Sequence, residues 1–332
     1  MKRFKIINQY QKFLLDIIKQ EKIIPQVDIY KNIDPSHHTV TIPCRLPNKP
    51  GDWLFRILIT SDQKKNESFV KEVKLFKILE KYKNNFNKLP NLAKVNLKTK
   101  TKWMIRKYYQ GNPTGNFWSF NKTFFNARNS NLLINYLIKL QSKSLQINPD
   151  FKKINQSKSL PIRGSEWFTS GWQKDLDYNP DFCYKKFISE YFTVPKIKKI
   201  NTLFIKNRKL LDHYAYYLTH GDLMPQNILI DKYHNIFFID WEETHLNNPL
   251  FDVSYIYVNS WQHKLWRKNF LNNFINNHPD NNKENLKILA NINIVLISLR
   301  MAEYAYLNKV HKNKIIDGAL NTHLKSIKNI IN

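Results

Sequence analysis

Thr219-His220-Gly221-Asp222-Leu223-Met224-Pro225-Gln226-Asn227-Ile228-Leu229-Ile230-Asp231-Lys232-Tyr233-His234-Asn235-Ile236-Phe237-Phe238-Ile239-Asp240-Trp241-Glu242-Glu243, followed shortly by Pro249-Leu250-Phe251-Asp252, is the stretch on which the reading of this 332-residue chain turns. Two apolar runs, Ile228 to Ile230 and Ile236 to Ile239, flank the polar five-residue connection Asp231 to Asn235. That pattern predicts a β-hairpin. Asn227 precedes the first run and Asp240 follows the second, so pairing of the two strands brings both side chains to neighbouring strand ends. Asp222 lies five residues before Asn227.

A carboxylate, an amide and a second carboxylate in this order suit phosphoryl transfer. Moving a γ-phosphoryl group needs positioning and charge neutralisation more than covalent chemistry. Mg²⁺ takes oxygen ligands, usually one or two carboxylates plus nucleotide phosphates and water. Asp240 and Asn227 can supply such oxygens, which leaves Asp222 to orient an acceptor hydroxyl and take its proton. Read singly, Asp222 and Asn227 are ordinary turn formers and Asp240 a strand-end cap. The set and its spacing carry the argument.

The segment resembles the aminoglycoside phosphotransferases, choline kinases and related small-molecule kinases of the protein-kinase-like fold. The family pattern is matched by His220, Gly221, Asp222, Asn227, Asp240, Trp241, Glu242, Pro249, Leu250 and Asp252. Protein kinases usually carry Asp-Phe-Gly where this chain has Asp240-Trp241-Glu242, which points to the small-molecule branch. The resemblance implies Asp222 as catalytic base, Asn227 and Asp240 as Mg²⁺ ligands, and His220 and Asp252 as braces of the catalytic loop. It also implies ATP as phosphoryl donor. The implied fold is α+β and two-lobed: a small N-lobe with an antiparallel sheet and one packed helix, then a larger, mainly helical C-lobe holding the catalytic hairpin.

Upstream residues extend the resemblance. Trp53 to Ile59 reads as a strand, and Arg56 within it stands where the fold places the residue that holds the nucleotide phosphates. Most members carry Lys there; choline kinases resemble this chain in carrying Arg, whose guanidinium can pair bidentately with phosphate or carboxylate. Phe69, Val73, Phe76 and Leu79 form a helical stripe. Glu72, at its edge, is the expected partner of Arg56, or else one solvated helix charge among many. Trp103 to Tyr109, ending at Gly111, reads as the last strand of the small lobe. Between Ser36 and Phe55 the one glycine is Gly51, so no glycine-rich loop covers the phosphates.

Composition sets the frame. Hydrophobic residues make up 42% and aromatics 14%, enough for folded cores, and the length suits two lobes. The expected division is 1–107, nucleotide-binding, and 108–332, catalytic and acceptor-binding. The formal net charge of +27 raises a competing class, a non-catalytic basic protein of this fold that binds nucleic acid or another anionic partner. Against nucleic acid, the basic residues are spread along the chain in brief runs and form no single stripe. Lys outnumbers Arg 44 to 9 and Asn reaches 41, a bias expected of AT-rich coding. Cys44 and Cys183 are far apart and lack metal-type spacing, which fits a reducing compartment. Leu286 to Leu307 is apolar-rich but interrupted by Asn291, Asn293, Arg300 and Glu303, so no membrane span is expected. Asp16 breaks any signal-peptide core, and the cytoplasm is the default.

Further expectations are coarser. Tyr10, Phe13, Leu14 and Ile17 form an amphipathic helix. Beyond residue 112 the chain reads as mostly helical, as at Leu133, Tyr136, Leu137 and Leu140, with the hairpin as the exception. Residues 146–180, with Pro149, Pro161, Gly164, Gly171 and Pro180, read as an irregular insertion. The Asn-rich 269–285 reads as a loop or helix end. The acceptor is a small molecule bearing a hydroxyl. Tyr255, Tyr257, Trp261, Trp266, Tyr304 and Tyr306 could cage a quaternary ammonium such as choline by cation–π attraction, or simply be core. Glu242, Glu243 and Glu303 are the acidic candidates for an aminoglycoside, and sugars or other amino alcohols fit equally.

Overall fold

The computed structural model describes residues 12–28, 39–81, 91–99, 101–156, 161–168, 182–308 and 314–332. The chain divides into two compact units, Met1–Gly111 and Asn112–Asn332.

The first unit is built on a five-stranded antiparallel sheet: β1 (Ile24–Pro25), β2 (Thr39–Leu46), β3 (Lys49–Leu58), β4 (Leu92–Asn96) and β5 (Trp103–Lys107), in spatial order β1-β2-β3-β5-β4. A tight turn at Pro47-Asn48 joins β2 to β3, with Leu46 opposite Lys49. Residues 53–58 of the central strand are all buried, so both faces of the sheet are covered. On one face Trp53, Phe55 and Ile57 join Val40, Ile42, Cys44, Trp103 and Ile105 around Leu14 and Ile17. These last two come from α1, residues 12–20. Phe13, expected on that stripe, is exposed, and Tyr10 lies outside the described residues.

The opposite face of β3, which carries Arg56, meets α2 (Gln63–Lys81). The α2 stripe is buried as its spacing predicts: Phe69, Val73, Phe76 and Leu79 are each at most 3% exposed. Each such apolar side chain contributes roughly 1.5–3 kcal/mol on burial. The helix starts where the Asp62 carboxylate accepts the Lys65 backbone N–H at 3.0 Å, an N-terminal cap.

The second unit is mainly helical. Its elements are β6 (Asn112–Pro113), α3 (Ala127–Gln156), α4 (Phe182–Tyr191), α5 (Val194–Lys206), α6 (Arg208–His213), β7 (Tyr217–Thr219), β8 (Ile228–Ile230), β9 (Ile236–Phe238), β10 (His245–Asn247), α7 (Phe251–Asn259), α8 (Lys264–Asn277), α9 (Lys283–Leu307) and α10 (Lys314–Ile331). The expected hairpin is β8–β9, with Ile228 opposite Phe238 and Ile230 opposite Ile236. Two features depart from a single hairpin among helices. β6 pairs with β8, and β7 pairs with β10 as a separate two-stranded sheet.

One coarse expectation needs correction, and two become more definite. The insertion does not begin at 146, because α3 continues through Pro149 to Gln156. Residues 157–160 and 169–181, with Gly171 and Pro180, lie outside the described residues. The Asn-rich stretch is helical through Asn277, then turns, and helix resumes at Lys283 after Asn282 caps the Asn285 N–H. Finally, α9 is long and apolar enough to cross a bilayer by length and hydropathy, its polar interruptions notwithstanding. Of its most apolar 18-residue window, 72% is buried inside this unit, as in a core helix.

Candidate active site

The loop between β7 and β8 carries His220, Gly221, Asp222 and Asn227. Gly221 adopts φ +86°, and a Cβ there would run into the Glu243 carbonyl oxygen. Glycine is therefore required on both conformational and steric grounds. The chain then tightens into a one-turn helix over Pro225–Asn227. Within that turn the Asn227 amide nitrogen donates to the Asp222 carbonyl at 2.9 Å and to its Oδ2 at 3.3 Å. Since Nδ2 is committed to Asp222, the end of Asn227 left to act as a ligand is its oxygen.

The hairpin sets the second donor. The Ile239 N–H donates to the Asn227 carbonyl at 3.0 Å, which ties the residue before Asp240 to Asn227. Asp240 itself is left-handed, φ 64° and ψ 63°, a conformation that aspartate tolerates better than most residues. It follows β9 and opens the turn Trp241–Glu243, whose Trp241 is fully buried and donates its indole N–H to the Phe238 carbonyl at 2.9 Å. One carboxylate and one amide oxygen are hard donors. They fit a divalent cation that draws its other ligands from phosphates and water. Among the described residues no preassembled cluster of three His, Cys, Asp or Glu side chains exists.

Buried groups hold the loop from behind. Asp252, on the first turn of α7, accepts the His220 N–H at 2.7 Å and the Gly221 N–H at 3.1 Å. Burial raises its carboxyl to about 7, and those two N–H bonds oppose the rise. His220 is fully buried, and burial lowers its imidazole to about 4. Its Nε2 lies 2.7 Å from the Ile239 carbonyl, and its Nδ1 receives the Asp222 N–H at 3.4 Å. A neutral ring protonated at Nε2 satisfies both contacts, so His220 links the loop to the hairpin. Burial pushes the Asp222 carboxyl up to about 6; Arg300 pulls it down, while Asp240, Glu243 and Glu242 add to the rise.

In the first unit, Arg56 on β3 meets Glu72 on α2, and both are buried. A single guanidinium nitrogen, Nη1, reaches Oε1 at 2.9 Å and Oε2 at 2.7 Å. The sequence led us to expect a two-nitrogen fork on a phosphate or carboxylate. In the pair with Glu72, Nη1 spans both carboxylate oxygens.

Two residues that sequence reasoning did not single out as functional are Arg300, which acts on Asp222, and Arg163, which acts on Tyr255. Arg300 on α9 donates to the Tyr255 hydroxyl at 2.9 Å. Arg163, whose backbone N–H bonds the Leu246 carbonyl, lies with its guanidinium 4.7 Å from the Trp167 ring centre. Its nearest carboxylate contact is Glu243 at 4.0 Å. Burial lowers Arg163 to about 10, Glu243 opposes this, and Arg300 adds to the lowering. For Arg300 the signal was present in sequence as an arginine inside an apolar-rich helical run.

The aromatic residues considered for an ammonium cage are mostly engaged elsewhere. Trp261 donates its indole N–H to the Trp118 carbonyl at 2.8 Å, and Trp266 stacks on Phe270 at 5.2 Å. Tyr257 lies under Arg267 at 4.7 Å, and the Tyr306 hydroxyl donates to Glu190 at 2.8 Å.

Residues 152–281 match the sequence profile of the phosphotransferase enzyme family. A 37-residue stretch is 51% identical to Protein LicA of Haemophilus influenzae; the match covers 11% of this chain and 14% of that protein. Among solved structures, the macrolide 2'-phosphotransferase of Brachybacterium faecium is similar over 93% of this chain and 97% of its own, with TM-score 0.57 and 13% identity. A Plasmodium vivax ethanolamine kinase is similar over 89% of this chain and 81% of its own, with TM-score 0.54 and 15% identity. The chain thus has the protein-kinase-like fold of the small-molecule phosphotransferases, and its residues 152–281 carry the sequence signature of the phosphotransferase enzyme family.

Proposed function

We propose that this protein is an ATP-dependent phosphotransferase that phosphorylates a hydroxyl group of a small molecule. One observation carries the reading: hydrogen bonds join the Asp222 loop through Asn227 to the β8–β9 hairpin that leads to Asp240, which supports Asp222 as base and Asn227 and Asp240 as oxygen donors. Asp222 orients the acceptor hydroxyl and takes its proton as the oxygen attacks the γ-phosphorus. Asn227 and Asp240 hold Mg²⁺, which when bound neutralises charge on the transferring phosphoryl group. Asp252 and His220 fix the loop, so the base does not have to be ordered during the reaction. Arg56, held by Glu72, contacts nucleotide phosphate.

The similarity of residues 152–281 to the phosphotransferase enzyme family supports this reading, as does the fold shared with a macrolide phosphotransferase and an ethanolamine kinase. A reducing, cytoplasmic setting fits the sparse cysteine content and the free, buried Cys44.

The test is binding of nucleotide to the native state. Mg·ATP should raise the melting temperature in a concentration-dependent way, and ATP without divalent metal should raise it less. No stabilisation at millimolar Mg·ATP would contradict the reading.

A further inference from the structure

We propose that Thr114 is a positioning residue for the divalent cation: it clamps the Pro225–Asn227 turn and so fixes the Asn227 side-chain oxygen that serves the metal. This rests on the phosphotransferase reading, in which Asn227 is a metal donor. It adds to that site a residue 111 positions before Pro225 in the chain.

Three observations carry it. The first is the grip itself. The Thr114 hydroxyl donates to the Pro225 carbonyl at 2.8 Å, and the Thr114 backbone N–H donates to the Ile228 carbonyl at 2.9 Å. Asn227 stands between those two carbonyls, so one residue holds the chain on both sides of it. The Pro225 carbonyl also accepts the Ile228 N–H, the bond that closes the turn. The hydroxyl therefore takes the second lone pair of the acceptor on which the turn depends.

The second observation is that the clamp is itself held. Thr114 is buried, and its carbonyl accepts the Asn121 N–H at 2.7 Å. A Cβ on the next residue, Gly115, would come within 2.8 Å of the Pro225 Cβ and would run into the Ser119 carbonyl oxygen. The backbone at this point thus lies directly against the turn.

The third concerns Asn227. It is buried and its amide nitrogen is committed to Asp222, so the direction of its oxygen follows the backbone of the turn. A buried hydroxyl needs some acceptor, and a purely structural threonine would satisfy that need anywhere. What distinguishes Thr114 is that its acceptor belongs to the turn that carries the amide donor.

The experiment measures ATP binding to the full chain by calorimetry while free Mg²⁺ is varied from chelator to saturation. The melting temperature without ligand is recorded alongside. In wild type, affinity should rise with Mg²⁺ to a plateau. Thr114→Val keeps the shape of the side chain and removes the donor. It should raise the free Mg²⁺ at the midpoint roughly three- to tenfold, the scale of one ordinary hydrogen bond, with the plateau affinity close to that of wild type. Thr114→Ser keeps the hydroxyl and should return the midpoint close to the wild-type value.

Should Thr114→Val not fold, Thr114→Cys takes its place. It matches the serine variant in size but offers only a weak donor, so its midpoint should lie above that of Thr114→Ser. A midpoint that does not move when the hydroxyl is lost, even with a lower melting temperature, would overturn the inference. So would a uniform loss of affinity at every Mg²⁺ concentration, the mark of a merely loosened fold. In either case Mg²⁺-dependent ATP binding by wild type leaves the phosphotransferase reading standing, with only the role of Thr114 wrong. Absence of that binding in wild type would overturn both.

Discussion

The side-chain amide of Asn227 donates to both the carbonyl and the Oδ2 of Asp222, at 2.9 and 3.3 Å. One residue thereby steadies the candidate base and, through its remaining oxygen, faces the role of metal donor. The same residue's carbonyl receives the N–H of Ile239, next to Asp240. Base and metal donors are thus one hydrogen-bonded unit, and displacing any member shifts the others. Three sets of variants test the supports of that unit and of the molecule around it.

Gly221→Ala places a Cβ against the Glu243 carbonyl at a backbone φ of +86°. The left-handed conformation alone costs about 1–2 kcal/mol for a residue with a side chain. We expect a destabilisation of about 2 kcal/mol or more in urea unfolding, with turnover reduced further because Asp222 is adjacent. A stability within about 0.5 kcal/mol of wild type, the range of ordinary surface substitutions, would show that the loop is held less tightly than described.

Arg56→Met leaves Glu72 buried without its cation, a loss of about 3–5 kcal/mol for a pair of this kind. Because one nitrogen makes both contacts, Arg56→Lys should retain much of the stability and show mainly a raised KM for ATP. Arg56→Met combined with Glu72→Met should be much less destabilising than the sum of the single changes. Additive losses in urea denaturation would mean that the two side chains do not depend on each other.

His323, on α10, is fully buried, and burial together with nearby Arg267 lowers its imidazole to about 3. In the unfolded chain it titrates near 6.5. The unfolded state therefore binds the extra proton between those values. The contribution of neutral His323 is complete above pH 6.5 and is lost as pH falls toward 3. Between pH 7.5 and pH 5, His323→Leu should lose about 2 kcal/mol less stability than wild type. His220 and His278, also lowered to about 4, act in the same direction, and Asp252, raised to about 7, acts in the opposite one. All three remain in both proteins, so they do not obscure the difference. Parallel pH profiles would contradict the assignment.

Local pattern made the hairpin and the α2 stripe legible, because both follow from periodicity over a few residues. Arg56 and Glu72 were expected as a pair from the family resemblance alone, and their hydrogen bonds join the strand to the helix that follows it. Other features were hidden for physical reasons. β7 and β10 have three residues each, too few to show alternation, and their pairing depends on contacts distant in sequence. Pro149 suggested a break, yet α3 passes through it. Arg300 was read only as an interruption of an apolar run; its position beside Tyr255 and Asp222 is set by how α7 and α9 pack, which no local pattern encodes. Aromatic spacing likewise could not distinguish a ligand cage from side chains engaged in packing.

The central claim is that Asp222 serves as the base while Asn227 and Asp240 serve the metal. It is tested most directly by Asp222→Asn, with Mg·ATP binding and acceptor phosphorylation measured on the same preparation. The amide keeps the shape of the side chain but cannot take the hydroxyl proton. The account predicts Mg·ATP stabilisation close to that of wild type and a turnover lower by about 10²- to 10⁴-fold, the usual contribution of a general base. Turnover within about twofold of wild type, on an acceptor found by ADP-release screening, would contradict it.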